Sequence, residues 1–205
     1  MEGFAVDNRK YLFISIFLAC TVVALLVLPG CKVNVKKSES GEDKNVDIET
    51  PVGGIHVSED ADARDTGLPV YPNAKLKPKD DSNDKKNANV NISGPGFSVR
   101  VVAIEYTSSD SPQKIIDFYT RELKRYGNVL QCQTSEHVGK IEVGHKGADK
   151  DESNELTCEK DHSGKTVELK VGSKNNQHIV AVEPDGTGSS FALVYVRTHG
   201  KDGMI

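Results

Sequence analysis

Cysteine and histidine are the residue types in this chain best suited to metal, redox or nucleophilic chemistry, and the sequence holds 4 Cys and 6 His. Two pairings stand out, Cys132-x4-His137 and Cys158-x3-His162. Together they offer two thiolates and two imidazoles, a set that zinc accepts in a tetrahedron. The close Cys pair of most zinc sites is missing, however, and both histidines fall in polar stretches beside turn signals. The competing reading joins Cys132 to Cys158 as a disulfide, which an oxidising compartment favours. Closing that loop contributes on the order of 3–4 kcal/mol in the chain-entropy view. The disulfide is the expectation; no metal or other cofactor is called for.

Other candidate chemistry fades on inspection. Asp149, Asp151 and Ser153 start like a calcium loop, but Asn154 stands where the sharp turn needs Gly, and Lys160 where a bidentate Glu belongs. That stretch reads as a solvated loop. His56, His145, His178 and His199 are scattered without a carboxylate or serine motif around them. No G-x-S-x-G, Walker loop, H-E-x-x-H or G-x-G-x-x-G occurs. Catalysis therefore has no support in the motifs.

The location of the chain is written at its start. An apolar run over residues 11–28 follows Arg9-Lys10 and ends in Leu28-Pro29-Gly30-Cys31. The run is long for a signal core and only just long enough to span a bilayer. Its ending resembles a bacterial lipobox, with Pro29 departing from the usual small residue, which implies acylation of Cys31. Cleavage there makes residues 1–31 a signal with its lipid attachment site. Retention instead leaves 11–28 as an uncut anchor, against which Lys32, Lys36 and Lys37 sit awkwardly under the positive-inside rule. Both readings place most of the chain outside the cytoplasm, on the periplasmic side of the envelope. Lys32, where an Asp would resemble an inner-membrane retention signal, leans towards the outer membrane. Cys20 lies inside the apolar run, so the cysteines divide without a spare thiol.

Composition narrows the rest. The net charge is −4 and the lysines are interspersed with carboxylates, which leaves no basic stripe for nucleic acid. Trp is absent and aromatics make up 6% of residues, an unfavourable composition for carbohydrate platforms.

The elements that must position these residues divide the chain in two. Residues 32–67 read as a tether with short β elements: Val33 and Val35, Val46 and Ile48, and Ile55 and Val57 each alternate with polar residues. The acidic stretch 59–65 reads as solvated linker. A globular domain over 68–205 starts at Leu68-Pro69-Val70-Tyr71-Pro72-Asn73-Ala74, where the prolines fix an extended path and Asn73 suits a turn. Residues 77–89 form a charged loop. Strands are expected at 89–93, 97–107, 129–133, 140–143, 155–159, 166–171, 177–183 and 191–197. Between the second and third lies one helix, with Ser111 to cap it, Pro112 at its first position and Gly127 to close it. Ile115, Ile116, Phe118, Tyr119, Leu123 and Tyr126 share one arc of that helix. The fold class is α+β, one main helix packed on a curved antiparallel sheet.

The segment 68–74 and the run Ser111-Pro112-Gln113-Lys114-Ile115-Ile116-Asp117-Phe118-Tyr119, continuing to Glu122-Leu123 and Tyr126-Gly127, resemble uncharacterised bacterial envelope proteins. These carry a "P-x-YPGA" lead-in and a "D-S-P-x-x-V-x-x-FY" helix and are often lipoproteins. The resemblance spans 68 to about 198 and implies a fold, but no functional residue.

Two functions are expected in turn. The first is a membrane-anchored interaction module that meets another envelope protein. The second is a small apolar-ligand or lipid site between helix and sheet, for which Phe118, Tyr119, Phe191 and Tyr195 are the candidate liners. The competing role for those aromatics is to fill the core.

Overall fold

A computed structural model of the chain describes residues 32–37, 44–78, 87–135, 154–158 and 164–200. The apolar run 11–28, Cys31 and the strand expected at 140–143 lie outside them. Among the described residues, no helix is long and apolar enough to cross a membrane.

Among the described residues, ten strands form a single sheet: β1 (Lys32–Lys37), β2 (Lys44–Thr50), β3 (Gly53–Ser58), β4 (Lys75–Leu76), β5 (Asn87–Gly94), β6 (Phe97–Ser108), β7 (Leu130–Thr134), β8 (Thr166–Ser173), β9 (Asn176–Asp185) and β10 (Gly188–Gly200). Their order is β1-β2-β3-β5-β6-β10-β9-β8-β7, with β4 paired on β6, and every pairing is antiparallel. One α-helix, α1 (Pro112–Leu123), packs on β8, β9 and β10. The class is α+β, as the alternating pattern and the lone amphipathic run predict.

The helix forms for legible reasons. Pro112 opens it with a fixed φ, and Ile115, Ile116, Tyr119 and Leu123 fall on one buried stripe. Ser111 holds the cap position with extended backbone, yet its side chain makes no capping bond. The backbone N–H of Lys114 bonds the Ser111 carbonyl instead, at 3.1 Å. A 3-10 turn (Lys124–Tyr126) follows, and Gly127 leaves it at φ 140°, a conformation that favours glycine. Glu122 reaches past the apolar stripe to Arg125, 3.4 Å away.

Strand β10 lies between β6 and β9, and its apolar residues are buried on both faces of the sheet. Phe191 and Leu193 point to the helix, whereas Ala192, Val194 and Val196 form a second buried cluster on the opposite face with Ala181. Leu169 and Val171 of β8 are buried on the helix side, as their alternation predicts.

Three expectations need correction. The short β elements of 32–58, expected within a tether, are strands of the main sheet, because Ile55 and Val57 of β3 pair with Ile92 and Val90 of β5. The acidic stretch 59–65 is not wholly solvated linker. It carries a 3-10 turn (Ala63–Thr66) in which Thr66 is fully buried, while Ala61 and Ala63 pack on the core. Of the strand expected at 155–159, the described residues 155–158 have no ladder partner and are tied down by Cys158 instead. A covalent bond can fix a short segment without sheet hydrogen bonds.

Candidate interaction face

The cysteines pair as expected: Cys132 and Cys158 form a disulfide with Cα atoms 5.5 Å apart. Cys132 sits on β7 opposite Glu168, which is opposite Ala181 and so belongs to the helix-free face. The disulfide therefore draws Cys158 to that side of the sheet. Both thiols are consumed, so neither is available to zinc, and His137 and His162 lie outside the described residues. Among the described residues no cluster of three metal-binding side chains occurs.

The four aromatic candidates separate. Phe118, Tyr119 and Phe191 join Tyr71 and Tyr106 in one ring cluster, with centroids 5.0 to 6.3 Å apart. Tyr119 and Phe191 are completely buried. Rings at this spacing fill space with edge-to-face and offset contacts. Tyr195 stands elsewhere, 5.0 Å from the His178 ring, which in turn stacks on Tyr126 at 4.0 Å. A shallow cleft of about 300 Å³ opens on the outer side of Phe118, between Tyr71-Pro72 and the helix residues Lys114, Asp117 and Arg121.

The two stretches that carry the sequence resemblance meet at one hydroxyl. The Tyr119 hydroxyl donates to the Pro69 carbonyl at 3.0 Å and accepts from the Tyr71 N–H at 3.0 Å. The Tyr71 hydroxyl then donates to Asp110, which also holds Lys114 at 2.7 Å. Burial pushes the Tyr119 phenol well above its ordinary range, and burial followed by the Asp110 bond raises that of Tyr71. Both stay protonated. These residues clasp the lead-in segment to the helix, a structural role for the motif. Asn73, at φ 62°, makes the turn its type allows.

His178 takes part in a second clasp. Its Nδ1 lies 2.8 Å from the Thr66 carbonyl, and the Tyr126 hydroxyl donates to the next carbonyl, that of Gly67. Burial pulls the imidazole pKa down, opposed by the bond to Thr66 and aided by nearby Arg125. His56 pairs with Asp47 across β2 and β3.

One contact resembles a nucleophile with its base. Lys77 Nζ is 3.0 Å from Ser190 Oγ, and 3.4 Å from the Glu105 carboxylate. Ser190 is fully buried and Glu105 nearly so. Lys77 donates to the Ser190 hydroxyl rather than accepting its proton, so the contact is not that of a base on a nucleophile. The trio is a buried polar brace on the sheet. Sequence reasoning missed it, because no motif links positions 77, 105 and 190.

The surface that stands out is the helix-free face of the early strands. Cross-strand partners share a face, so register defines rows. One row runs Val46, Val57, Val90, Val101 and Val196 across β2, β3, β5, β6 and β10. The next runs Ile48, Ile55, Ile92 and Val99. On β1, Val35 and Val33 hold the register positions opposite Val46 and Ile48. The other face of the same strands carries Asp47, His56, Asn91, Arg100 and Arg197 in one row. The sheet there is amphipathic, polar on one side and β-branched on the other. From Val46 to Val101 the apolar rows are half-buried, with Ile55 39% exposed, and no described element packs over β2, β3 or β5.

The described residues define an α+β architecture whose sheet extends well beyond the one α-helix among them. No family model matches the chain, and comparison with curated proteins and with solved structures returns no match.

Proposed function

We propose that this chain is a membrane-anchored protein of the bacterial envelope, held by lipid on Cys31 or by an uncut helix over 11–28, and that it serves as an interaction module. The reading rests first on the apolar run and the lipobox-like Leu28-Pro29-Gly30-Cys31. The Cys132–Cys158 disulfide agrees with an oxidising compartment. Lys32 after the cysteine favours the outer membrane over the inner, and the resemblance to envelope lipoproteins points the same way.

The single observation that carries the interaction role is the pair of β-branched rows over β2, β3, β5 and β6. An antiparallel sheet with one apolar face ordinarily buries it, and exposed apolar patches mark contact surfaces. The alternative, an apolar ligand between helix and sheet, gains nothing from the packing, since the aromatic rings there touch one another.

Two measurements test the reading. Intact mass of the protein extracted from its native membrane should show a chain beginning at acylated Cys31, or a full-length one. An unacylated chain lacking the apolar run removes the anchor. Photo-crosslinking in cells from position 55, on the apolar row, should capture an adduct that position 91, on the polar row, does not. Equal yields at both positions refute the face.

A further inference from the structure

We propose that the end of the sheet formed by the β2–β3 and β5–β6 turns is a second membrane contact, seated among the lipid headgroups beside the anchor. The proposal rests on the anchored reading above and names the part of the fold that meets lipid.

The register gathers that end. Lys32, the first residue of β1, pairs with Glu49 of β2, next to the turn that joins Thr50 to Gly53. Gly54 pairs with Ser93, Gly94 with Phe97, and Phe97 with Gly200. The start of β1, both turns and the end of β10 therefore lie at one level. The opposite end is marked by the Ser189–Ser108 pair and the turn between Asp185 and Gly188. It stands at the other end of β6 from Phe97, about 37 Å away.

Covalent length fixes which end lies at the bilayer. An acylated Cys31 is one peptide from Lys32, about 3.8 Å between Cα atoms. An uncut helix ending at residue 28 is four residues away, at most about 14 Å. Either span is much shorter than the sheet, so the end that holds Lys32 is the one kept near the lipid.

The two turns there suit that place. Residues 50–54 and 94–97 carry no charge. Val52 is 67% exposed, and the Phe97 ring lies across Gly94, where a side chain would collide with it. The turns also present few polar groups that must lose water. Pro51 and Pro95 have no N–H to desolvate. The Thr50 hydroxyl donates to the Gly53 carbonyl at 2.8 Å and accepts from the Val52 N–H at 3.3 Å, which satisfies the β2–β3 turn from within. An exposed valine on such a turn gains by leaving water, at a depth where other backbone groups still meet it. The far end has the opposite character. Its β9–β10 turn holds Asp185, and the connection 77–86, which leaves the sheet beside Glu105, is dense in Lys and Asp.

The test places a photo-crosslinking residue singly at Val52, Lys37 and Thr187 of the full chain in its native membrane, and reads intact mass after illumination. Val52 and Thr187 are exposed, so neither replacement disturbs the core. Lys37 ends β1 about 17 Å from Lys32 and reports a sheet lying along its edge, while Thr187 reports the far end. A phospholipid adduct is expected from position 52, in about tenfold excess over the other two, because the headgroup layer is only about 6 Å deep. A yield at 37 or 187 equal to that at 52 overturns the end-on contact. So does the lack of a lipid adduct at 52 on a chain whose mass shows acyl groups or the retained run, and there the anchor survives. A chain with neither overturns the anchor and the contact together.

Discussion

Removing the Tyr119 hydroxyl is the sharpest test of how the helix is held to the rest of the fold. Tyr119→Phe keeps the ring and its neighbours Phe118 and Phe191, at 5.0 and 5.7 Å, and deletes one oxygen. That oxygen serves two backbone groups, the Tyr71 N–H and the Pro69 carbonyl. Tyr119 is fully exposed-surface-free and Tyr71 and Leu68 are buried beside it, so water cannot readily replace the lost partner. Each stranded group costs about 1–3 kcal/mol, which sets the total near 3 kcal/mol after some relaxation. For a domain of this size that corresponds to a fall in Tm of roughly 10 °C. The assay is paired thermal and urea unfolding, where the midpoint should drop while the urea slope stays constant. Hydrogen exchange at the Tyr71 amide should lose protection by more than its neighbours do. Tyr71→Phe is the control. It removes a hydroxyl bond to Asp110 at 3.0 Å, at the more open edge of the same ring cluster. That change should cost about 1 kcal/mol or less. If Tyr119→Phe lowers Tm by no more than the control does, the hydroxyl is not the clasp and the reasoning fails.

Other outcomes follow from the same contacts. His178 has a depressed pKa in the fold, so its contribution is complete above the unfolded value near 6.5 and is lost as pH falls through the folded value. Tm measured from pH 7.5 down to 5 should therefore decline less steeply in His178→Asn than in the native chain. Replacing Cys132 and Cys158 together with serine should cost about 3–4 kcal/mol, read as a lower urea midpoint; an unchanged midpoint would show the bond to be ornamental to folding. Lys77→Met removes the ammonium between Ser190 and Glu105 and should destabilise by about 1–3 kcal/mol. Adding Glu105→Gln to Lys77→Met should cost less than the sum of the single changes, because a neutral amide no longer needs the cation.

Much of the fold can be read from local pattern. Pro112 and the stripe Ile115, Ile116, Tyr119 and Leu123 specify a helix by themselves, and the two-faced apolar run of β10 announces a central strand. Period-2 alternation at 46–48 and 55–57 likewise gives β2 and β3. It does not reveal their neighbours. Nothing in Val57 points to Val90, since pairing across a long connection depends on the whole sheet rather than on any short stretch. The same limit hid the apolar rows, which exist only once the register is known. The aromatic candidates show the converse problem: Phe191 and Tyr195 are four positions apart and share a face, yet one joins the ring cluster and the other stacks with His178. Which of several apolar residues lines a space and which fills it is decided by three-dimensional packing. The Cys132–Cys158 bond was legible because the cysteine count, read with the expectation of an oxidising compartment, constrains it without any geometry.

The strand order has a consequence for how the chain is made. Strand β10, ending at Gly200, is the partner of both β6 and β9. Its twelve-residue register with β6 joins positions about as far apart as Phe97 and Gly200. A chain that emerges from its amino terminus must hold β2, β3, β5 and β6 in waiting until nearly all of it has been delivered. Such long-range closure is slow, and the valine rows are open to self-association in the interval. The valine rows are therefore at greatest risk of misassociation at the moment before β10 becomes available to pair with β6.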